Sequence, residues 1–424
     1  MIKLFRNTRK NFLNHKKLAI NNYIMKTKLL FFSLIATLQL SAQNYQKIHN
    51  KAILVDTHND FLTQTMEKNF VFDTDLEGKT HSDLNRMKEG GVDVQLFSVW
   101  SDGDKLNPYD FANRQIDSLD AVTNRNPDKI VKVANSKELL KAVKQNKIAA
   151  LIGVEGGHQF ENDLGKLEAL YNRGTRYMTL TWNNSTSWAT SASDETNPEG
   201  AKNSEGKNGL TTFGKEVVQK MNSLGMMVDV SHVGEQTFYD VIATTTKPII
   251  ASHSSVYTIC PHKRNLKDDQ IKAIAKNGGV IQINFNSGYI DPSVEPREII
   301  FIEKHQAEIN SLVQDGMNFF FALESIYTNY VDESQQFRAP FDFVIQHIEY
   351  VINLVGVDYV GIGSDFDGIF LPPKELDDVT DYSKITKIFV DKGYSKKDID
   401  KILGANLLRV LKANEKKIMP YHYD

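Results

Sequence analysis

Short apolar runs alternate with amphipathic stretches along most of this chain, and several of the runs end in a histidine or a carboxylate. The runs fall at residues 53–60, 92–100, 148–155, 175–182, 226–232, 248–253, 279–285 and 359–367. Their continuous Ile, Val and Leu content suits strands covered on both faces. Between them, segments at 109–125, 136–145, 164–173, 212–224, 235–243, 267–276 and 341–355 have helical periodicity or length. About eight strands alternating with helices is the number that closes a (β/α)8 TIM-type barrel. A doubly wound open sheet shows the same alternation. The barrel is the better reading because barrel strands converge at their C-terminal ends, where the polar residues of this chain sit. The rhythm breaks once, at residues 286–337, which read as a helical insertion between strands 7 and 8 with a long helix over 299–313. Residues 183–208 read as an irregular loop, and the tail as helices over 382–392 and 396–412.

Composition narrows the chemistry. The formal net charge of −3 over 424 residues leaves no basic excess for a nucleic-acid partner. Cys260 is the sole cysteine, so no internal disulfide and no C-x-x-C metal motif exists. Any bound metal must be held by His, Asp and Glu. Near the N-terminus, a short basic start at Met25 precedes an apolar run from Leu29 to Leu40 and a small residue at Ala42. This has the form of a secretory signal peptide over residues 25–42. With Met25 as the start, residues 1–24 become an upstream segment that is not translated, and residues 43–424 a single exported barrel domain, periplasmic or secreted, with no stable membrane anchor after cleavage.

The first run leads into His58 and Asp60, which share one face of an extended backbone because they are two residues apart. Glu155, His232, His253 and Asp365 occupy comparable positions at later strand ends. Each alone has an ordinary explanation as a capping or hydrogen-bonded residue. Together at one barrel mouth, three imidazoles and three carboxylates suffice for two divalent ions sharing a carboxylate. Such a pair lowers the pKa of a bridging water and polarises a carbonyl. Asp56 and Asp367 are read as structural.

The motifs Val55-Asp56-Thr57-His58-Asn59-Asp60, Gly153-Val154-Glu155-Gly156-Gly157-His158, Asp229-Val230-Ser231-His232, Ala251-Ser252-His253-Ser254-Ser255, Arg264-Asn265 and Gly363-Ser364-Asp365-Phe366-Asp367-Gly368 resemble those of the renal (membrane) dipeptidases. That family belongs to the metal-dependent amidohydrolase-like barrels. The resemblance runs from about Ile53 to about Leu411, in the family's order. It implies two Zn2+ ions, with His58 and Asp60 on the first, His232 and His253 on the second, and Glu155 bridging. It also implies Asp365 as the acid/base residue and Arg264 as the partner of the substrate's C-terminal carboxylate. The implied activity is hydrolysis of a dipeptide, with D-residues tolerated at the C-terminal position; a homodimer is a separate expectation, since the sequence does not say how many subunits assemble. A hydrolase of another amide, a lactam or a lactone on the same barrel is the alternative, and a non-catalytic binding protein the third reading. One departure stands out: where the family's dipeptidases commonly carry a His in a Leu-Thr-His context, this chain has Leu180-Thr181-Trp182. Trp182 is read as shaping the pocket, with His158 and Asn183 as candidate substitutes for the missing imidazole.

Overall fold

The computed structural model describes residues 45–416, so the readings of residues 1–24 and 25–42 lie outside the described residues. All eight expected strands form, together with one more. They are β1 (Leu54–Asn59), β2 (Val92–Trp100), β3 (Ile130–Lys132), β4 (Ile148–Glu155), β5 (Thr175–Thr179), β6 (Met227–Asp229), β7 (Ile250–Ala251), β8 (Val280–Ile283) and β9 (Val360–Ile362). Parallel pairings run β2-β1-β9-β8-β7-β6-β5-β4, and β2 pairs with β4 from Val94↔Ala149 to Trp100↔Glu155. That last pairing closes an eight-stranded barrel and excludes the open sheet. The extra strand, β3, pairs with the start of β4 outside the ring, Ile130↔Ile148 to Lys132↔Ala150. Three residues are too few to carry a strand period, so the sequence pattern does not reveal it.

Alternation along the strands divides the core into two layers. Leu54, Phe97, Ile148, Ile152 and Met178 pack outward under the helices. Val55, Val94, Leu96, Leu151, Met227 and Ile250 belong to a separate buried cluster, onto which the helix Asn406–Asn414 lays Leu407, Val410 and Leu411. This helix closes the N-terminal end of the barrel. Arg409 donates to the carbonyls of Gly279 (3.1 Å) and Asp358 (2.8 Å), and Asn414 to that of Pro248 (2.9 Å), all just before or at the start of a strand. Gly404, in the turn before it, has no room for a side chain: a Cβ there would stand 2.3 Å from the Ile53 carbonyl oxygen.

Two helix readings need correction. The expected single helix over 299–313 is two, Val294–Lys304 and Gln306–Gln314, separated at His305. The His305 ring is buried against Tyr330 at 3.9 Å between centroids and against Phe301 at 4.8 Å, so the chain turns there to keep it inside. The tail over 396–412 is likewise interrupted, by a wide turn at Lys401–Ala405 where Gly404 meets β1. The insertion does lie between β8 and β9, the seventh and eighth strands of the ring, and continues through a further helix, Phe319–Asn329. Among the described residues, no helix is long and apolar enough to cross a membrane.

Candidate metal centre and active site

β1 delivers His58 and stops at Asp60, which occupies the N-cap of the helix Phe61–Lys68 without using its side chain as a cap. The Asp60 carboxylate is therefore free to turn inward: its Oδ2 lies 3.3 Å from His58 Nε2. From β4, Glu155 Oε2 reaches the same nitrogen at 3.3 Å, and Asp365 Oδ1 stands at 3.9 Å. The other oxygen of Glu155, Oε1, faces His232 Nε2 at 2.8 Å and His253 Nε2 at 3.5 Å, and these two nitrogens are 2.9 Å apart. The structure thus brings His58, Asp60, Glu155, His232, His253 and Asp365 to one point at the barrel mouth, with the Glu155 carboxylate between the two halves. His232 and Asp365 both have left-handed backbones, φ 65° each, which direct them inward where an extended strand end would not.

The outer nitrogen of each imidazole is occupied. Tyr177 Oη donates to the Thr57 carbonyl at 3.1 Å and so accepts from His58 Nδ1, 2.7 Å away. Ser252 Oγ donates to Asp229 at 2.6 Å and accepts from His253 Nδ1 at 2.8 Å. The Asn183 amide oxygen accepts from His232 Nδ1 at 3.1 Å. These partners place each proton on Nδ1 and leave the Nε2 lone pairs facing inward, the arrangement that metal-binding histidines require. His58 Nε2 and Asp60 Oδ1 are buried without any hydrogen-bond partner, so the donor set fits a cation. Burial, with the Arg264 charge next in weight, holds His232 down at about 4, neutral and ready to ligate. Burial pushes the Asp365 carboxyl up to about 8; His58 opposes this, Asp60 and Glu155 add to it, and Asn284 Nδ2, donating at 2.8 Å, opposes it.

Tyr177 and Asn284 lie outside the sequence motifs, Asp229 and Ser252 lie within them with no role read for either, and Asn183, read as a candidate substitute for an imidazole, instead orients His232. Gly153 is the signal that marks Tyr177: a Cβ on that strand glycine would lie 1.9 Å from the Tyr177 ring. Tyr177→Phe removes the acceptor for His58 Nδ1 and is expected to weaken metal binding by about 10- to 100-fold, with activity returning at saturating metal. A metal titration of the apo protein measures this, and unchanged affinity would deny the tyrosine that role.

Asp56 and Asp367 have structural partners, as read. Asp56 accepts from Ser364 and Tyr382, tying β1 to β9, and Asp367 accepts from the His81 backbone and from Ser82. A cavity of about 400 Å³ opens above the cluster, lined among others by Asp60, Glu155, His232, Trp182, Arg264 and Asp365. Trp182 packs edge-on against Trp100, ring centroids 5.0 Å apart. His158 hydrogen-bonds to Ser101 at 3.1 Å and does not line the cavity, whereas Asn183 does. Arg264 is buried. Its Nη2 donates to the His253 carbonyl at 3.2 Å, while Nε and Nη1 have no partner.

Residues 42–420 match the family model of the membrane dipeptidases, peptidase family M19. An uncharacterised dipeptidase of Schizosaccharomyces pombe is 34% identical over 401 residues, covering 89% of this chain and 84% of that protein. Among solved structures, the probable dipeptidase PvdM of Pseudomonas aeruginosa superposes with a TM-score of 0.74 at 22% identity, covering 89% of this chain and 98% of that one. A metallopeptidase of Rhodobacter sphaeroides, liganded with a phosphinate mimic of the dipeptide L-Ala-D-Ala, gives 0.69 at 21% identity, covering 86% of this chain and 100% of that one. The barrel, its cluster of imidazoles and carboxylates, and the match across nearly the whole chain agree: this protein belongs to the membrane dipeptidase family and is a metallo-dipeptidase, a hydrolase of peptide bonds.

Proposed function

We propose that the chain is an exported dizinc enzyme that cleaves dipeptides bearing a free C-terminal carboxylate and accepts D-residues at that position. The observation that carries the substrate assignment is Arg264. It is a buried guanidinium beside the metal-binding cluster, with two donors unpartnered and, among the described residues, no carboxylate paired to it. A buried cation left open this way calls for an anion from the substrate, and the guanidinium fork suits both oxygens of a carboxylate. The cavity of about 400 Å³ has room for a short substrate. Imidazole and carboxylate donors suit zinc, and Glu155, with one oxygen directed to each half of the cluster, supports a count of two. Tolerance of D-residues is supported by the L-Ala-D-Ala mimic held by the Rhodobacter sphaeroides relative. Export rests on the pattern of residues 25–42.

In this reading His58 and Asp60 would hold one ion and His232 and His253 the other, with Glu155 placed to serve both. When bound, the ions supply Lewis acidity and a water made nucleophilic near neutral pH. Asp365, held by Asn284, would take the proton of the attacking water and pass it to the leaving amine once the charge of bound cations had drawn its carboxyl down from about 8 to the ionised form. Arg264 fixes the C-terminal end, which sets the scissile carbonyl over Glu155. Trp182 walls the pocket where relatives present an imidazole, and Asn183 orients His232 rather than replacing that group.

A dipeptide panel that includes C-terminal D-residues, assayed with purified protein whose metal content is measured in parallel, tests the proposal. About two equivalents of zinc and turnover of free dipeptides are expected. Preferential turnover of lactams, lactones or C-terminally blocked amides would transfer the assignment to the alternative.

A further inference from the structure

We infer that the insertion completes a subsite for a large apolar N-terminal side chain of the substrate, and that Phe320 is its specificity-determining residue. The inference rests on the orientation proposed above, with the C-terminal carboxylate on Arg264. Arg264 follows β7. In the closed ring, β7 and β2 stand four strands apart in either direction, so the end of β2 lies across the mouth from Arg264. The residue at that end is Trp100, the register partner of Glu155. An extended dipeptide anchored on Arg264, with its carbonyl over Glu155, therefore sends its N-terminal residue toward Trp100.

What it meets there is aromatic and continuous. Trp100 packs against Trp182 at 5.0 Å and against Phe320 at 5.7 Å, and Phe320 against Phe370 at 4.6 Å. All four line the cavity, with Leu323 beside them. Trp100, Trp182 and Phe370 belong to the loops and ends of the barrel. Phe320 comes from the insertion, on the helix Phe319–Asn329, and is held in place from both sides. Asn318 caps that helix and donates to Asp102, in the loop after β2, at 3.0 Å. Glu324 pairs with Lys68, on the helix after β1, at 2.6 Å. The insertion thus carries one aromatic ring to a defined place in the wall.

A side chain buried against this wall gains transition-state binding that a glycine cannot, which for several methylenes is worth about tenfold or more in kcat/KM. The experiment compares Phe-Ala, Leu-Ala, Gly-Ala and Ala-Phe in the metal-loaded enzyme and in its Phe320→Ala and Phe320→Leu variants. The wild type is expected to favour Phe-Ala and Leu-Ala over Gly-Ala by about tenfold or more. Phe320→Ala should collapse the Phe-Ala to Gly-Ala ratio, mainly through KM, with Phe320→Leu retaining part of it. Phe320 is half-buried on a surface helix, so both variants keep the fold. Equal turnover of Phe-Ala and Gly-Ala by the wild type, or a preference for Ala-Phe that follows Phe320, overturns the subsite while leaving the dipeptidase reading intact. Failure to turn over any of the four removes that reading as well.

Discussion

Glu155→Gln is expected to lower dipeptide turnover by about a thousandfold or more and to reduce bound metal toward none. The substitution keeps the side chain's volume and one carbonyl oxygen, so the packing at the end of β4 survives. What it removes is the single negative charge that both halves of the cluster share. Glu155 Oε2 faces His58 Nε2 at 3.3 Å and Oε1 faces His232 Nε2 at 2.8 Å. An amide offers only one acceptor; its NH2 would point donors at one set of imidazole nitrogens, where a cation should sit. Circular dichroism should show the fold retained, since the core layers are built from other residues. Metal analysis by plasma mass spectrometry then separates the outcomes. Two equivalents of metal retained in a folded Glu155→Gln protein would refute the shared-carboxylate assignment.

Arg264→Ala is expected to reduce kcat/KM for free dipeptides by about a hundredfold, chiefly by raising KM, because an unpaired substrate carboxylate in a buried site loses a strong charge-assisted partner. Dipeptide amides, which offer no carboxylate, should be turned over poorly by both proteins and change little between them. Arg264→Lys should recover only part of the loss. A point-charge ammonium cannot reproduce the fork of donors, and it would lose the guanidinium's bond from Nη2 to the His253 carbonyl and its place over the Tyr289 ring 5.6 Å away. Burial is the main cause that holds His232 and His253 low and the Arg264 charge adds to it, so Arg264→Ala should raise both imidazoles somewhat, His232 more than His253. Metal retention in that variant should then fall off at a higher pH than in the wild type, as protons compete better for the lone pairs. Unchanged dipeptide kinetics in Arg264→Ala would move the carboxylate elsewhere in the pocket.

Much of this was legible in the sequence because the physics that writes it is local. Parallel strands buried on both faces leave largely apolar runs, and β4 shows one unbroken as far as Glu155, while β2 and β8 show them with few polar interruptions. His58, Asp60, Glu155, His232, His253 and Asp365 stand out because each interrupts or ends such a run. The residues that orient them do not stand out. Tyr177 lies inside a strand, and its partner His58 is 119 positions away in the chain, so no spacing connects them. Asn284 and Asp229 look like ordinary strand-end polar residues until the ring places them beside Asp365 and Ser252. The break at His305 was equally hidden, since the apolar period continues through it and only the distant Tyr330 ring gives the chain reason to turn.

The helix that seals the barrel floor follows every strand of the ring in the chain and so is made after all of them. β9, which joins the ring to β1, also emerges late. Until both have been synthesised, Val55, Val94 and Leu151 have no cover from Leu407, Val410 and Leu411. The nascent protein therefore carries greasy, half-built sheet until β9 and this helix have followed, and its full cation-binding set is present only once Asp365 has been added.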